Sequence, residues 1–254
     1  MKEKMFIASD FDGTIDCGEE KQKDIDAILR WRAAGNIFTV ISGRNTPQIR
    51  KLIDYYGFSP DYVMGDSGNA CYTLDGELAF SNPVDAKYVK PLCYAMLEMG
   101  ASYICVDQPD YAEIVYHDKK GKGENIPFDE SKLEKFKTFT QTSAVYANGQ
   151  EAQKAADYIN EKFGGNLLAL RNGACLDVVP ENRSKAVCTY EFTRKLGIDE
   201  KNIFCIGDNY NDIPMLDRYN SFVVANGPDE VKKHAKVGVV KSVAEMIDYL
   251  LSLK

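Results

Sequence analysis

The chain has one texture at both ends and another in the middle, and that ordering limits the folds open to it. Near the N-terminus an apolar run, Met5–Ala8, leads to a helical stretch, Glu19–Ala34, closed by Gly35 and followed by a second run, Ile37–Ile41. Thr46 and Pro47 have the N-cap and first-turn chemistry of another helix, which Gly57 ends before a third run, Tyr62–Gly65. Strand–helix–strand alternation on such short links predicts a parallel sheet with both faces covered. After Pro180 the pattern returns. A helix over Ser184–Leu196 precedes a buried strand, Asn202–Ile206, and two further strands, Ser221–Ala225 and Val237–Val240. A last helix opens with the capping box Ser242…Glu245 and lines up Val243, Met246, Ile247, Leu250 and Leu251 on one face.

Between these halves the spacing changes. "ACYTLDGELAF" reads as a hairpin turning at Asp75-Gly76. A helix carries Val84, Tyr88, Leu92, Met96 and Met99 down one side and stops at Gly100. "SYICVD", "AEIVYH" and "SAVYA" alternate like half-exposed strands, "HDKKGKGENIPFDE" is a polar loop, and Ala152, Ala155, Ala156, Ile159 and Phe163 form a second helical stripe. "NLLALR" and "ACLDVV" pair around Asn172-Gly173. Hairpins plus two helices predict an α+β module inserted into the α/β core, covering the ligand crevice at the carboxyl ends of its strands.

The 254 residues suffice for one large domain or two small ones, and a formal charge of −7 argues against broad binding to nucleic acid or an anionic membrane. No stretch approaches the ~20 apolar residues of a membrane span, and the N-terminal run is too short for a signal peptide. Seven scattered cysteines without a CxxC pair point to small buried side chains in a reducing cytoplasm, not to a disulfide framework or a zinc site. His117 and His234 match no metal spacing, "KKGKG" reads as a solvated loop, and Trp31 as core packing.

Chemistry concentrates where strands end. Asp10, Phe11, Asp12, Gly13 and Thr14 follow the first apolar run, with Asp16 close behind; Ser42, Gly43 and Arg44 follow the second. Lys185 opens the returning helix, and Gly207, Asp208, Asn209, Tyr210, Asn211 and Asp212 follow "NIFCI". Carboxylates from Asp10, Asp12 (side chain or backbone) and Asp208 are the hard oxygen donors that Mg²⁺ takes. A metal there would let a carboxylate approach a phosphate and act as nucleophile, giving an aspartyl-phosphate. Ser42 and the Gly43 N–H can donate to phosphate oxygens, and Lys185 supplies a positive charge for them. Gly13 permits the tight turn after the acids.

In these motifs the chain resembles the haloacid dehalogenase superfamily of phosphohydrolases, in its Cof-type branch with a large α/β cap inserted after the third strand. DxDGT matches Asp10–Thr14, the serine motif Ser42, the lysine Lys185 and GDxxND Gly207–Asp212. "VVANGPDEVKKHA" is similar to the next segment of that branch, but Ala225-Asn226-Gly227-Pro228 departs from its usual Met-Gly-Asn-Ala. The resemblance implies a Rossmann-like core over residues 1–81 and 181–254 and a specificity cap over 82–180. It implies Asp10 as nucleophile and Mg²⁺ ligand. Asp12 would give its carbonyl to the metal and its side chain as general acid and base, Asp208 would complete the metal site, and Asp212 would support it. Phe11, Ser42, Gly43, Lys185 and Asn211 would bind the phosphate, with Arg44 reaching toward substrate. The function expected is a Mg²⁺-dependent phosphatase for a small phosphorylated metabolite, sugar phosphates first, with Tyr, Asn and acidic side chains of the cap reading hydroxyls. A phosphotransferase or phosphomutase would use the same intermediate. A receiver-type signalling module would not need the second acid or the cap, and a binding protein without catalysis would not keep every polar position filled.

Overall fold

A computed structural model describes residues 3–17, 21–118 and 124–253. The first segment runs β1 (Phe6–Ser9), α1 (Lys21–Ala33), β2 (Ile37–Ile41), α2 (Thr46–Tyr56) and β3 (Tyr62–Gly65), then a hairpin of β4 (Ala70–Thr73) and β5 (Leu78–Ser81). The middle holds β6 (Val84–Asp85), α3 (Val89–Glu98), β7 (Tyr103–Asp107), β8 (Ala112–His117), β9 (Thr138–Phe139), β10 (Gln141–Val145), α4 (Gly149–Phe163), β11 (Leu167–Asn172) and β12 (Cys175–Pro180). The chain returns through α5 (Lys185–Lys195), β13 (Ile203–Gly207), α6 (Ile213–Arg218), β14 (Asn220–Val224), α7 (Asp229–Lys232), β15 (Gly238–Val240) and α8 (Val243–Ser252).

The larger sheet has the order β15-β14-β13-β1-β2-β3-β4-β5. Its first six strands pair in parallel, and the β4–β5 hairpin extends it antiparallel. All four residues of β1 are buried, as a central strand covered on both faces requires. Ile7 packs with Ile28, Trp31, Phe38 and Ile247 on one side; Phe6 and Ala8 pack with Ala186, Phe192 and Met215 on the other. Trp31 is wholly buried, and its indole N–H donates to the Ile37 carbonyl at 2.9 Å. From β1 the chain moves to β2 on one side while β13 lies on the other. That divergence is the topological switch point where open α/β sheets bind ligands.

The second sheet is antiparallel, in the order β11-β12-β10-β7-β8. Its period of two divides the side chains cleanly. Ile104, Val106, Ala144, Leu176 and Val178 pack with Leu92 and Met96 of α3 and Ala152, Ala155 and Ile159 of α4. The opposite face carries Cys105, Asp107, Ser143 and Asp177: Ser143 stands across from Cys105 on one neighbour and Asp177 on the other, and Gln141 across from Asp107.

Several local expectations are corrected. Helix α2 is capped by Asn45, not Thr46: the Asn45 Oδ1 accepts from the Gln48 N–H at 3.0 Å, and Thr46 is already helical. Val84 is not on a helix but pairs with Phe139 in a two-residue ladder. Ser242 caps α8 by accepting from the Glu245 N–H, but the Glu245 carboxylate reaches the Lys241 N–H at 2.6 Å rather than that of Ser242. The expected hairpin at Asp75-Gly76 (Gly76 φ 89°) folds β5 back onto β4 and ends the first segment of the larger sheet at Ser81. Glu19, the expected start of the first helix, and "KKGKG" lie outside the described residues. No helix among the described residues is long and apolar enough to cross a membrane.

Candidate active site

At the end of β1 the Asp10 N–H still donates to the Ile206 carbonyl of β13, holding the aspartate in line with the sheet. The chain then turns sharply, with the N–H groups of Thr14, Ile15 and Asp16 all directed at the Phe11 carbonyl. Phe11 anchors the turn: its ring is buried against Tyr56 and Phe58, with centroids 5.7 and 6.5 Å away. The Phe11 side chain therefore cannot contact a phosphate, which leaves only its backbone for the binding role expected of it. Gly13 has φ 78°, and a Cβ there would run into the Asp208 carboxylate. Thr14 Oγ1 donates to that carboxylate at 3.2 Å, and the Asn226 side-chain amide donates to the Gly13 carbonyl at 2.8 Å.

Lys185, the first residue of α5, is 1% exposed and stands between two acids. Its Nζ lies 2.5 Å from Asp10 Oδ1 and 2.6 Å from Asp212 Oδ1. Asp212 Oδ2 accepts from the N–H groups of Asp208 and Asn209 at 3.0 and 3.1 Å, which bends the loop after β13 back toward β1. Asp10, Asp208 and Asp212 each offer a carboxylate oxygen within 4.8 Å of the others. Three acids thus surround one ammonium. Burial pushes the Asp10 carboxyl well above its ordinary range, with the Asp212 and Asp208 charges adding to the effect and Lys185 opposing it. Burial and the Asp212 charge push Asp208 up to about 6. Burial works against the Lys185 charge, but Asp10 and Asp212 more than offset it and Lys185 stays protonated. An all-oxygen donor set with excess negative charge fits a hard divalent cation.

The three acids of the opening motif have separated. Asp12 points to the rim, where Arg44 grips both of its oxygens at 2.7 Å. Asp16 lies apart, held by Lys21 at 3.0 Å and by the Tyr56 hydroxyl. Ser42 is buried at the end of β2, and its Oγ accepts from the Arg44 N–H at 3.1 Å. Gly43 has the Asn211 amide nearby and the Asp177 carboxylate directly over it. The structure thus brings Asp10, Ser42, Gly43, Lys185, Asp208, Asn211 and Asp212 to one rim, with Asp12 and Arg44 at its edge.

The polar face of the second sheet closes over this rim. Gln141 donates to the Gly43 carbonyl at 2.6 Å and accepts from Ser67 at 2.8 Å; Asn45 reaches Asp107 at 3.4 Å, Thr140 reaches Asp66 at 2.7 Å, and Asn209 reaches Asn172 at 2.9 Å. Asp66 and Ser67 both have left-handed backbones, with φ 53° and 55°, and hook the end of β3 onto the carbonyls of Arg44 and Ser42. Between the sheets lies a cavity of about 410 Å³, with Asp10, Asp12 and Arg44 at one end and Asp107, Ser143 and Asp177 at the other. Sequence reasoning did not single out Asp107, Ser143 or Asp177. The signal was the alternation in "YICVD", "QTSAV" and "CLDVV", where polar residues share one face.

Burial, then the Asp107 charge, pushes Asp177 from 3.8 to about 7. A folded-state value above the unfolded one favours the protonated form, so that contribution is complete below about 4 and is lost as pH climbs through about 7. Asp177→Asn is therefore expected to gain stability relative to wild type between pH 4 and pH 8, by on the order of a few kcal/mol. Chemical denaturation at the two pH values checks this; an unchanged difference would show that Asp177 does not titrate in this window.

A family model described as haloacid dehalogenase-like hydrolase matches residues 7–246. The solved structure of a haloacid dehalogenase-like hydrolase from B. subtilis is similar with a TM-score of 0.81 at 15% identity, over 97% of this chain and 99% of that one. A sugar phosphatase of haloacid dehalogenase subclass IIB gives a TM-score of 0.77 at 18% identity, over 98% of each chain. A provisionally named phosphatase from Buchnera aphidicola is 26% identical over 227 residues, 83% of this chain and 80% of its own.

Proposed function

The chain belongs to the haloacid dehalogenase-like hydrolases, and from that premise we propose that it is a Mg²⁺-dependent phosphomonoester hydrolase working through an aspartyl-phosphate. The observation that carries this reading is the charge imbalance at the strand ends, where Asp10, Asp208 and Asp212 gather around the single ammonium of Lys185. Asp10 and Asp208 would hold the ion, with the Asp12 carbonyl and Asp212 in support. When bound, Mg²⁺ would cancel the repulsion between carboxylate and phosphate and draw charge from the phosphoryl oxygens.

The side chains then divide the work. An Asp10 oxygen attacks phosphorus in line with the departing alkoxide. Lys185, Ser42, the Asn211 amide and the Gly43 N–H stabilise the phosphoryl oxygens in the loose transition state. Asp12 protonates the alkoxide and afterwards takes the proton from the water that hydrolyses the phosphoenzyme. The two-point grip of Arg44 on Asp12 suits the base step, in which Asp12 is a carboxylate. For the acid step Arg44 must release it, and a bound phosphate is the anion within reach.

The segment 82–180 would act as the cap that selects the leaving group. The sugar phosphatase among the similar structures supports sugar phosphates as the substrate class, and the buried free thiols among the described cysteines support a cytoplasmic setting. With a formal charge of −7, neither nucleic acid nor an anionic membrane is a partner in this reading. Stripping divalent metal with EDTA is expected to lower phosphate release from p-nitrophenyl phosphate at least ~100-fold, and Mg²⁺ to restore it. Activity indifferent to chelation would contradict the metal role.

A further inference from the structure

We propose that the substrate's leaving group carries a protonated amine, held between Asp107 and Asp177 on the cap side of the cavity; the inference rests on the phosphomonoesterase reading above. The first ground is the charge of the lining. Asp107 and Asp177 are 2% and 4% exposed, lie on the two strands that flank β10 on the same polar face, and have no ion-pair partner among the described residues. Among the described residues the one cation lining the cavity is Arg44, and both side-chain hydrogen bonds of its guanidinium go to Asp12. Lys185 lies below the floor, committed to Asp10 and Asp212.

The second ground is an orphaned atom. Asp177 Oδ2 is buried without a hydrogen-bond partner and lies over Gly43, 2.5 Å from where a Cβ on that glycine would be. A buried acceptor left unmade is costly unless a ligand completes it. Among the described residues no donor completes this oxygen, and the side chain that carries it lines the cavity. Among the described residues no third acid joins Asp107 and Asp177 in a cluster that could hold a second metal ion; the cluster of that kind is Asp10, Asp208 and Asp212. A neutral polyol could donate to Asp177 Oδ2, but it brings no charge to two buried acids that have no ion-pair partner among the described residues. An ammonium offers three N–H donors and the missing charge together, beside a Ser143 hydroxyl that donates to Asp107 at 3.3 Å. A carboxylated or polyphosphorylated leaving group is repelled by the same lining. About 410 Å³ is room for a small aminated ester such as an amino-sugar phosphate.

Phosphate release from matched esters tests this in the full chain with Mg²⁺. The expected result is kcat/KM at least ~10-fold higher for glucosamine 6-phosphate than for glucose 6-phosphate, with the gain lost for N-acetylglucosamine 6-phosphate, whose nitrogen is uncharged. Asp107→Asn and Asp177→Asn are each expected to bring the ratio of the first two esters toward one. Hydrolysis of neutral esters with no preference for the amine, or a preference that both variants leave untouched, overturns the inference and leaves the phosphomonoesterase reading standing. No phosphate released from any ester, p-nitrophenyl phosphate included, overturns both.

Discussion

Asp10→Asn is expected to lower turnover of p-nitrophenyl phosphate by at least ~1000-fold, roughly 4 kcal/mol of barrier, while the fold survives. The change keeps the shape of the side chain and removes the oxygen that would attack phosphorus. It also removes one of three carboxylates crowding one ammonium, so the melting temperature without metal should not fall. Circular dichroism and a melting curve would establish folding, and steady-state phosphate release would establish the loss. A folded variant with near-normal turnover would refute the nucleophile assignment.

Lys185→Met carries the second large effect, and it reaches both stability and chemistry. The lysine is fully buried between Asp10 and Asp212, and its removal leaves two buried acids facing each other. Breaking a buried pair by removing one partner costs ~3–5 kcal/mol, which for a chain of this size lowers the melting temperature by roughly 10 °C. Turnover should fall at least ~100-fold, because the charge proposed to meet the phosphoryl oxygens is gone. Added Mg²⁺ should recover much of the lost stability, since a cation bound by the same acids replaces the missing charge. A variant as stable as wild type without metal would mean that the lysine does not neutralise these acids.

What could be read from the chain follows from which facts are local. An apolar run that stops at a carboxylate identifies a strand end and the group placed there, and Asp10, Ser42 and Asp208 are legible in that way. The parallel core is legible because its first two strands and its last are each followed by a helix stripe. The partners of the acids are not. Asp10, Asp12 and Asp16 look equivalent in "DFDGTID", yet one faces Lys185, one Arg44 and one Lys21 with Tyr56, choices made by residues up to 175 positions away. The cap of α2 shows the same limit. Thr46 and Asn45 both have capping chemistry; it is Asn45 that serves, and its amide also lies 3.4 Å from Asp107 of the second sheet. In the second sheet the alternation separates two faces, but which face turns to the ligand depends on how that sheet lies over the core, and no strand encodes that alone.

The consecutive left-handed residues Asp66 and Ser67 have a consequence for release of product. Ser67 ties to the Ser42 carbonyl through its backbone and to Gln141 through its hydroxyl, while Gln141 holds the Gly43 carbonyl. Egress that requires the upper sheet to lift must therefore undo this tether and free the very loop that would cradle the anion. In the proposed reaction the grip on inorganic phosphate and the opening of its exit would then be one motion, so the site would not unlatch while keeping hold of what it had made.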